Sequence, residues 1–222
     1  MGTIVDNSGI VCAVAFSGAD YTSQWLGSRV ISAQKANTGN AFSLGLGARG
    51  TVIALSSANL YSAVQPAGSL FGLQASNPVD TDVAYGNQPG VGPTNPPPLS
   101  AGTFGTPQDP LVGQRVGGIN VFGGGLALYV GGKRVGGLGV SGDTSRTDHM
   151  VAWWTRSVLK LAGFSGVGGV SGDSARPDNI IFDIAVNKVG VGAIGVSAGG
   201  FGRPTCLNNP TPQAVSGLPA VQ

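Results

Sequence analysis

The chain has 222 residues, of which 39 are glycine and only 22 are charged, 12 basic and 10 acidic. The small number of charged residues excludes a coiled coil. The chain is 41% apolar, which excludes charge-rich disorder. Collagen is excluded because the glycines do not recur at every third position. Because the net charge is +2 and Lys133–Arg134 is the only adjacent basic pair, we expect no nucleic-acid partner. No apolar run approaches the roughly 18 residues that predict a membrane span.

The first predicted element is a β-hairpin over residues 3–16. Its turn is the cluster Asp6–Gly9, which separates two apolar segments. Residues 10–16 are apolar at both alternating sets of positions, a pattern typical of a strand covered on both faces. We therefore expect this second strand to lie inside a sheet.

Two helices are predicted next. Residues 23–43 carry Leu26, Val30 and Ala33 at helical spacing, which predicts a buried face with Arg29 and Lys35 off it. Residues 57–64 predict a short helix, which the following Pro-Ala-Gly ends.

Residues 74–114 contain eight prolines among glycine, asparagine and threonine. This composition predicts a long loop inserted in one domain, because the apolar pattern resumes after it. Asp80, Asp82 and Asp109 in the insertion are either calcium ligands or solvated loop carboxylates.

Residues 118–141 predict two strands joined by the turn at 131–134, and residues 145–162 predict the clearest helix of the chain. Ser145 and Asp148 have the spacing of a capping box. The apolar stripe of this helix is predicted to face the core, and it comprises Val151, Trp154, Val158 and Leu161. The second stripe comprises His149, Trp153, Arg156 and Lys160.

Residues 163–222 form a glycine-rich extension with strand candidates at 179–186 and 189–197. The extension repeats part of the preceding pattern. Ser141-Gly142-Asp143 is followed by Asp148, and Ser171-Gly172-Asp173 is followed at the same distance by Asp178. Cys12 and Cys206 either form one disulfide or remain free thiols.

Matches to nucleotide and hydrolase motifs are attributed to the glycine content. The dinucleotide fingerprint G-x-G-x-x-G occurs from Gly45, Gly137 and Gly190, without the acidic residue that the site needs about 20 positions later. The nucleophile-elbow pattern over residues 195–199 has no histidine after it, as hydrolases require.

Two stretches of the chain, roughly residues 3–65 and 110–162, contain segments of a known family pattern: Val5–Gly9, Ala15–Gly18, Ala33–Thr38, Gly123–Leu126, Gly132–Gly142 and Asp148. With these residues the chain resembles the GlcG/HbpS-type (DUF336) family and the related C-terminal domain of PduO-type proteins.

This resemblance implies an α+β fold with an antiparallel β-sheet and packed helices. Residues 1–162 would form the GlcG/HbpS-like domain with its insertion at 74–114. Residues 163–222 would form the C-terminal extension, packed on the domain or between subunits. The resemblance also implies a homo-oligomer and haem or another small ligand as cofactor, without a firmly general enzyme activity.

The candidate ligand-binding residues lie around the glycine strands and the start of the following helix: Gly123, Gly124, Gly125, Gly139, Ser141, Gly142, Asp148 and His149. His149 is the only histidine, so it is either the candidate haem ligand or a solvated residue of the first helical turn. Trp153 and Arg156 are the candidate oligomer contacts, since a tryptophan opposite the core stripe is typical of a subunit interface.

Three hypotheses follow for the function. The leading one is a non-enzymatic, oligomeric, ligand-binding protein. The alternatives are a self-assembling structural or surface protein, because low charge and abundant glycine suit large contacts, and an enzyme that uses Asp148. No signal peptide is visible before the first predicted strand, and we expect a mature chain in the periplasm or outside the cell.

Overall fold

The protein is described by a computed structural model over residues 1–45, 50, 52–86, 100–186, 193–194, 196–205 and 217–222. Its strands are β1 (Gly2–Asp6), β2 (Val11–Ala15), β3 (Val52–Ala54), β4 (Gly125–Val130), β5 (Lys133–Val140), β6 (Val167–Gly169), β7 (Ala185–Val186) and β8 (Ala193–Ile194). Its helices are α1 (Ser28–Phe42), α2 (Leu73–Ser76), α3 (Thr81–Tyr85) and α4 (Ser145–Val158). Short 3₁₀ turns lie at Tyr21–Ser23, Ser57–Leu60, Ser62–Val64 and Ala101–Thr103.

The main sheet has four antiparallel strands in the order β2-β1-β5-β4. Both predicted hairpins are present. The prediction that the second strand lies inside the sheet was wrong, because β2 is an edge strand with Cys12, Ala13 and Ala15 exposed. Strand β4 has apolar neighbours on both faces, with Leu126 and Leu128 in one cluster and Ala127 and Tyr129 in another.

Helices α1 and α4 lie on opposite faces of this sheet. Gly137 and Gly139 face α1, where a Cβ atom would overlap the carbonyl oxygens of Ala36 and Ser32. Leu138 lies between them in the strand and points the other way, into a cluster with α4. The predicted fold class, an antiparallel sheet with packed helices, is therefore confirmed.

The prediction for α1 was wrong about its polar face. Val30 and Ala33 are buried as expected, but Leu26 precedes the helix and is 66% exposed. Arg29 and Lys35, which were predicted to lie off the buried face, are both buried. Each of them has an aspartate partner elsewhere in the chain, and the pairing compensates the burial of its charge.

The two faces of α4 are also reversed relative to the prediction. Trp153 and Arg156 of the second stripe are buried, whereas Val151, Trp154 and Val158 of the apolar stripe are exposed. The helix begins after Thr144, whose hydroxyl accepts from the backbone N–H of Thr147, so the expected Ser145 capping box does not form.

Residues 74–114 were predicted to be a loop inserted in one domain, but they contain helical elements that were not predicted, although residues 87–99 lie outside the described part. Asp80 begins α3 by accepting from two backbone N–H groups, each at 3.1 Å. Asp109 is buried and accepts from the Arg29 guanidinium, with Nε to Oδ2 at 2.9 Å. Asp109 is therefore not a solvated loop carboxylate. Within the described ranges, no three His, Cys, Asp or Glu residues lie close enough to hold a metal ion.

The C-terminal extension packs on the rest of the chain. β6 pairs in parallel with β3, and the predicted strand at 179–186 is represented by β7, which pairs with β8. The last six residues return to the core, where the backbone N–H of Gln222 donates to Ala162. The match from Gly45, the match from Gly190 and the elbow at 195–199 each include residues outside the described part.

Cys12 is an exposed free thiol, and Cys206 lies outside the described residues. Among the helices of the described ranges, none has the length and apolar character needed to cross a bilayer.

Candidate functional site

The glycine turn before β4 allows two helices to approach the sheet closely. A Cβ atom on Gly123 or Gly124 would overlap the carbonyl oxygens of Ser145 and Val140. A Cβ atom on Gly125 would overlap that of Lys35 in α1. Gly139 packs in the same way against the carbonyl oxygen of Ser32. The space beside these four candidate glycines is therefore filled by backbone atoms of the same chain.

Asp148 forms a buried ion pair with Lys35 across the end of the sheet. Lys35 Nζ lies 2.8 Å from Asp148 Oδ2 and 3.0 Å from the carbonyl oxygen of Val140. The other oxygen, Oδ1, accepts from the backbone N–H of Asp143. Burial raises the pKa of Asp148 and lowers the pKa of Lys35, while the attraction between the two charges opposes both shifts.

Ser141 and Gly142 follow β5 at the same end of the sheet. The backbone of Ser141 bonds to Met1 in both directions, each at 2.9 Å, and its side chain is buried. Gly142 has φ +151 and lies exposed beside this contact. These two hydrogen bonds connect the end of β5 to Met1, the residue that precedes β1.

His149 is completely buried, so the prediction of a solvated first-turn residue was wrong. Its Nε2 accepts from the backbone N–H of Ile180 at 3.3 Å, and its Nδ1 has no hydrogen-bond partner. Burial, assisted by the nearby Arg156 charge, lowers the pKa of His149 to about 4. The imidazole is therefore neutral at physiological pH.

Trp153 and Arg156 are covered by the C-terminal extension. The Trp153 indole N–H donates to the carbonyl oxygen of Pro219 at 2.9 Å. The Arg156 guanidinium bonds to Asp178 and to the carbonyl oxygen of Ala127, and it stacks 4.4 Å from the Trp153 ring centroid. Both residues were predicted as oligomer contacts, but they are buried within their own chain, with 2% and 0% of their surface exposed.

Of the pockets in the described part of the chain, two have tyrosine residues in their walls. The larger, of about 480 Å³, lies between the turn that carries Tyr61 and the part of the extension that carries Ile184 and Val196. The smaller, of about 230 Å³, lies at the start of α1 and has Tyr85 and Phe104 in its wall. Of the two, the larger has the size of a typical small-molecule site.

Several important residues were missed by sequence reasoning. Lys35 and Arg29 carry no local signal, since their aspartate partners lie 113 and 80 positions away. Asp178 had a signal in the internal repeat, where it occupies the position equivalent to Asp148. Each of these two aspartates holds a buried cation.

Comparison with known proteins gives a family match and two structural similarities. The sequence model of the family described as "Haem degrading protein HbpS-like" matches residues 2–154. Similar solved structures include the Klebsiella pneumoniae protein ORFY of the DUF336 family, with 20% identity over 70% of this chain and 71% of that chain and a TM-score of 0.42. Another is a PduOC:haem complex, with 22% identity over 70% of this chain and 75% of that chain and a TM-score of 0.43. No curated protein matches the chain.

Proposed function

The chain belongs to the HbpS-like family, and from this premise we propose that it is a homo-oligomeric protein that binds haem or another small ligand. The observation that carries the proposal is the family match, which spans residues 2–154 and whose description names haem.

His149 does not fit the role of an iron ligand in this arrangement. A histidine that binds iron must offer a nitrogen lone pair to an open space, but Nε2 of His149 already accepts from Ile180 and the whole ring is buried. Neither of the two pockets described above has His149 in its wall.

The pocket beside Tyr61 fits a small, largely apolar ligand better. Its volume of about 480 Å³ falls within the range of small-molecule sites, and its wall combines Pro66, Ile184 and Val196 with Tyr61. Tyrosine is an established haem ligand. The Arg203 guanidinium lies 5.5 Å from the Tyr61 ring centroid and supplies positive charge of the sign that attracts ligand carboxylates.

An absorbance titration with haemin tests this proposal. We expect a Soret shift in the wild-type protein that is lost in Tyr61→Phe and retained in Tyr85→Phe, which removes the same hydroxyl from the smaller pocket. His149→Ala should also retain the shift. Absence of any shift in the wild type removes haem from the proposal, and a shift lost only in His149→Ala transfers the ligand role back to the histidine.

A self-assembling structural role is a second candidate, because α4 exposes apolar side chains. Light scattering separates the two: a discrete small oligomer supports the ligand-binding protein, and a polymer supports the structural role. The enzyme hypothesis gains no support from Asp148, whose carboxylate is 4% exposed and bonded to Lys35.

A further inference from the structure

Helix α4 has the reverse of the polarity expected for a helix at the surface of a soluble chain. Such a helix normally directs charged side chains to water and apolar ones to the core. In α4 every ionisable residue is buried: Arg146, Asp148, His149 and Arg156. The exposed residues are uncharged, and Val151, Trp154 and Val158 are 47%, 50% and 75% exposed.

The three exposed apolar residues and the partly buried Thr147 form one continuous seam along the helix. Thr147, Val151, Trp154 and Val158 are separated by four, three and four positions, the spacing that keeps side chains in line where one helix packs on another. A groove of about 410 Å³ runs along the seam, and its wall also includes Met150 and Thr155. The seam therefore has the form of a helix-packing surface on which no helix of the described residues packs.

The order of side chains in the seam is self-complementary. If two copies of α4 pack antiparallel about a two-fold axis between Val151 and Trp154, each Trp154 lies opposite a Val151. The same axis sets Met150 opposite Thr155 and Thr147 opposite Val158. A larger side chain thus meets a smaller one along most of the contact, and an isologous interface requires this kind of self-matching.

The charge distribution favours the same occupant. Because the seam has no charged side chain, its burial does not require an ion to lose its hydration. A charged partner would also find no ion pair there to compensate the burial of its own charges. A second copy presents an identical uncharged surface. We propose that a second copy of this chain docks on the α4 seam, with the two α4 helices antiparallel. This inference rests on the homo-oligomer part of the proposed function and does not depend on haem.

Sedimentation velocity over roughly 1–100 μM protein tests the contact, since an interface much smaller than the usual area of about 800 Å² per partner is expected to dissociate in this range. We expect the wild type to associate and Trp154→Lys to associate at least tenfold more weakly. Val130→Lys is the matched control, because Val130 is 53% exposed at the far end of β4. A second variant, Val151→Glu with Trp154→Lys, should restore association by setting opposite charges across the axis.

A wild type that stays monomeric at 100 μM overturns the proposal, as does a Trp154→Lys protein of unchanged mass whose circular dichroism is native. Failure of the double variant to recover association overturns the antiparallel pairing. Binding of the wild type to phosphatidylcholine vesicles that Trp154→Lys abolishes would assign the seam to a lipid surface instead. Haemin titration of the Trp154→Lys monomer distinguishes the two proposals. We expect the monomer to bind haemin like the wild type, because the substitution does not alter the Tyr61 pocket.

Discussion

The Arg156 guanidinium and the Asp178 carboxylate form two hydrogen bonds, at 2.6 and 2.9 Å, and both side chains are completely buried. Arg156 belongs to α4, whereas Asp178 belongs to the C-terminal extension. The pair therefore ties the extension to the domain through charges that water does not reach. Burying such charges is compensated only while both partners are present.

Asp178→Asn is expected to destabilise the protein by about 3–5 kcal/mol, because it leaves the Arg156 charge buried without a counter-ion. Urea denaturation at neutral pH measures the change. The matched control is Asp173→Asn, which removes a carboxylate from the Arg176 pair at a site where Asp173 is 44% exposed. That change should cost no more than about 1 kcal/mol. Equal losses in the two variants would contradict the role given to the buried pair.

His149 is expected to make the stability depend on pH between about 6.5 and 4. Its pKa is about 4 in the folded chain and 6.5 when exposed, so the folded state favours the neutral imidazole. The neutral imidazole contributes fully to the free energy of unfolding above pH 6.5. As the pH falls toward 4, this contribution of about 3 kcal/mol is lost.

Urea unfolding at pH 7.5 and 4.5 measures this dependence. We expect the fall in unfolding free energy between the two pH values to be smaller in His149→Gln, which keeps an acceptor for the Ile180 N–H but does not titrate. Parallel falls in wild type and variant would show that another group causes the dependence.

Gly139→Ala is expected to destabilise the protein by at least about 1–3 kcal/mol, since the new methyl group would overlap the Ser32 carbonyl oxygen in α1. The control is Gly168→Ala in β6, where the nearest atom to the new methyl group is 3.7 Å away. That variant should change the unfolding free energy by less than about 1 kcal/mol. Thermal and urea unfolding of the two proteins provide the comparison, and a Gly139→Ala protein of wild-type stability would refute the close packing of α1 on β5.

Leu218→Ala tests whether the C-terminal extension contributes to the core. Leu218 is 1% exposed and packs in the cluster of Trp153 and Leu138, so its truncation should cost about 2–5 kcal/mol. Leu26→Ala makes the same substitution at a site that is 66% exposed, and it should cost less than about 0.5 kcal/mol. Unfolding curves that coincide for the two variants would mean that the extension is only loosely attached.

The strands and helices in the stretches that resemble the HbpS-like family were predicted from local sequence patterns. The hairpin of β4 and β5 follows from two apolar segments around Gly131–Gly132, and both glycines have positive φ. The helix after Thr144 follows from its helical periodicity. Such features depend on neighbouring residues, so one sequence is enough to predict them.

The amino-acid sequence by itself determined the sheet hairpins, α1, α4 and the family resemblance, because these depend on local spacing and turn chemistry. Only the tertiary structure decided which face of α4 is buried. Both stripes of the helix have helical periodicity, and the choice depends on Asp178, Lys35 and Pro219, which lie far from their partners in the chain. Lys35 and Arg156 can occupy the interior because each contacts an opposite charge and a carbonyl oxygen there, and the apolar stripe lies at the surface.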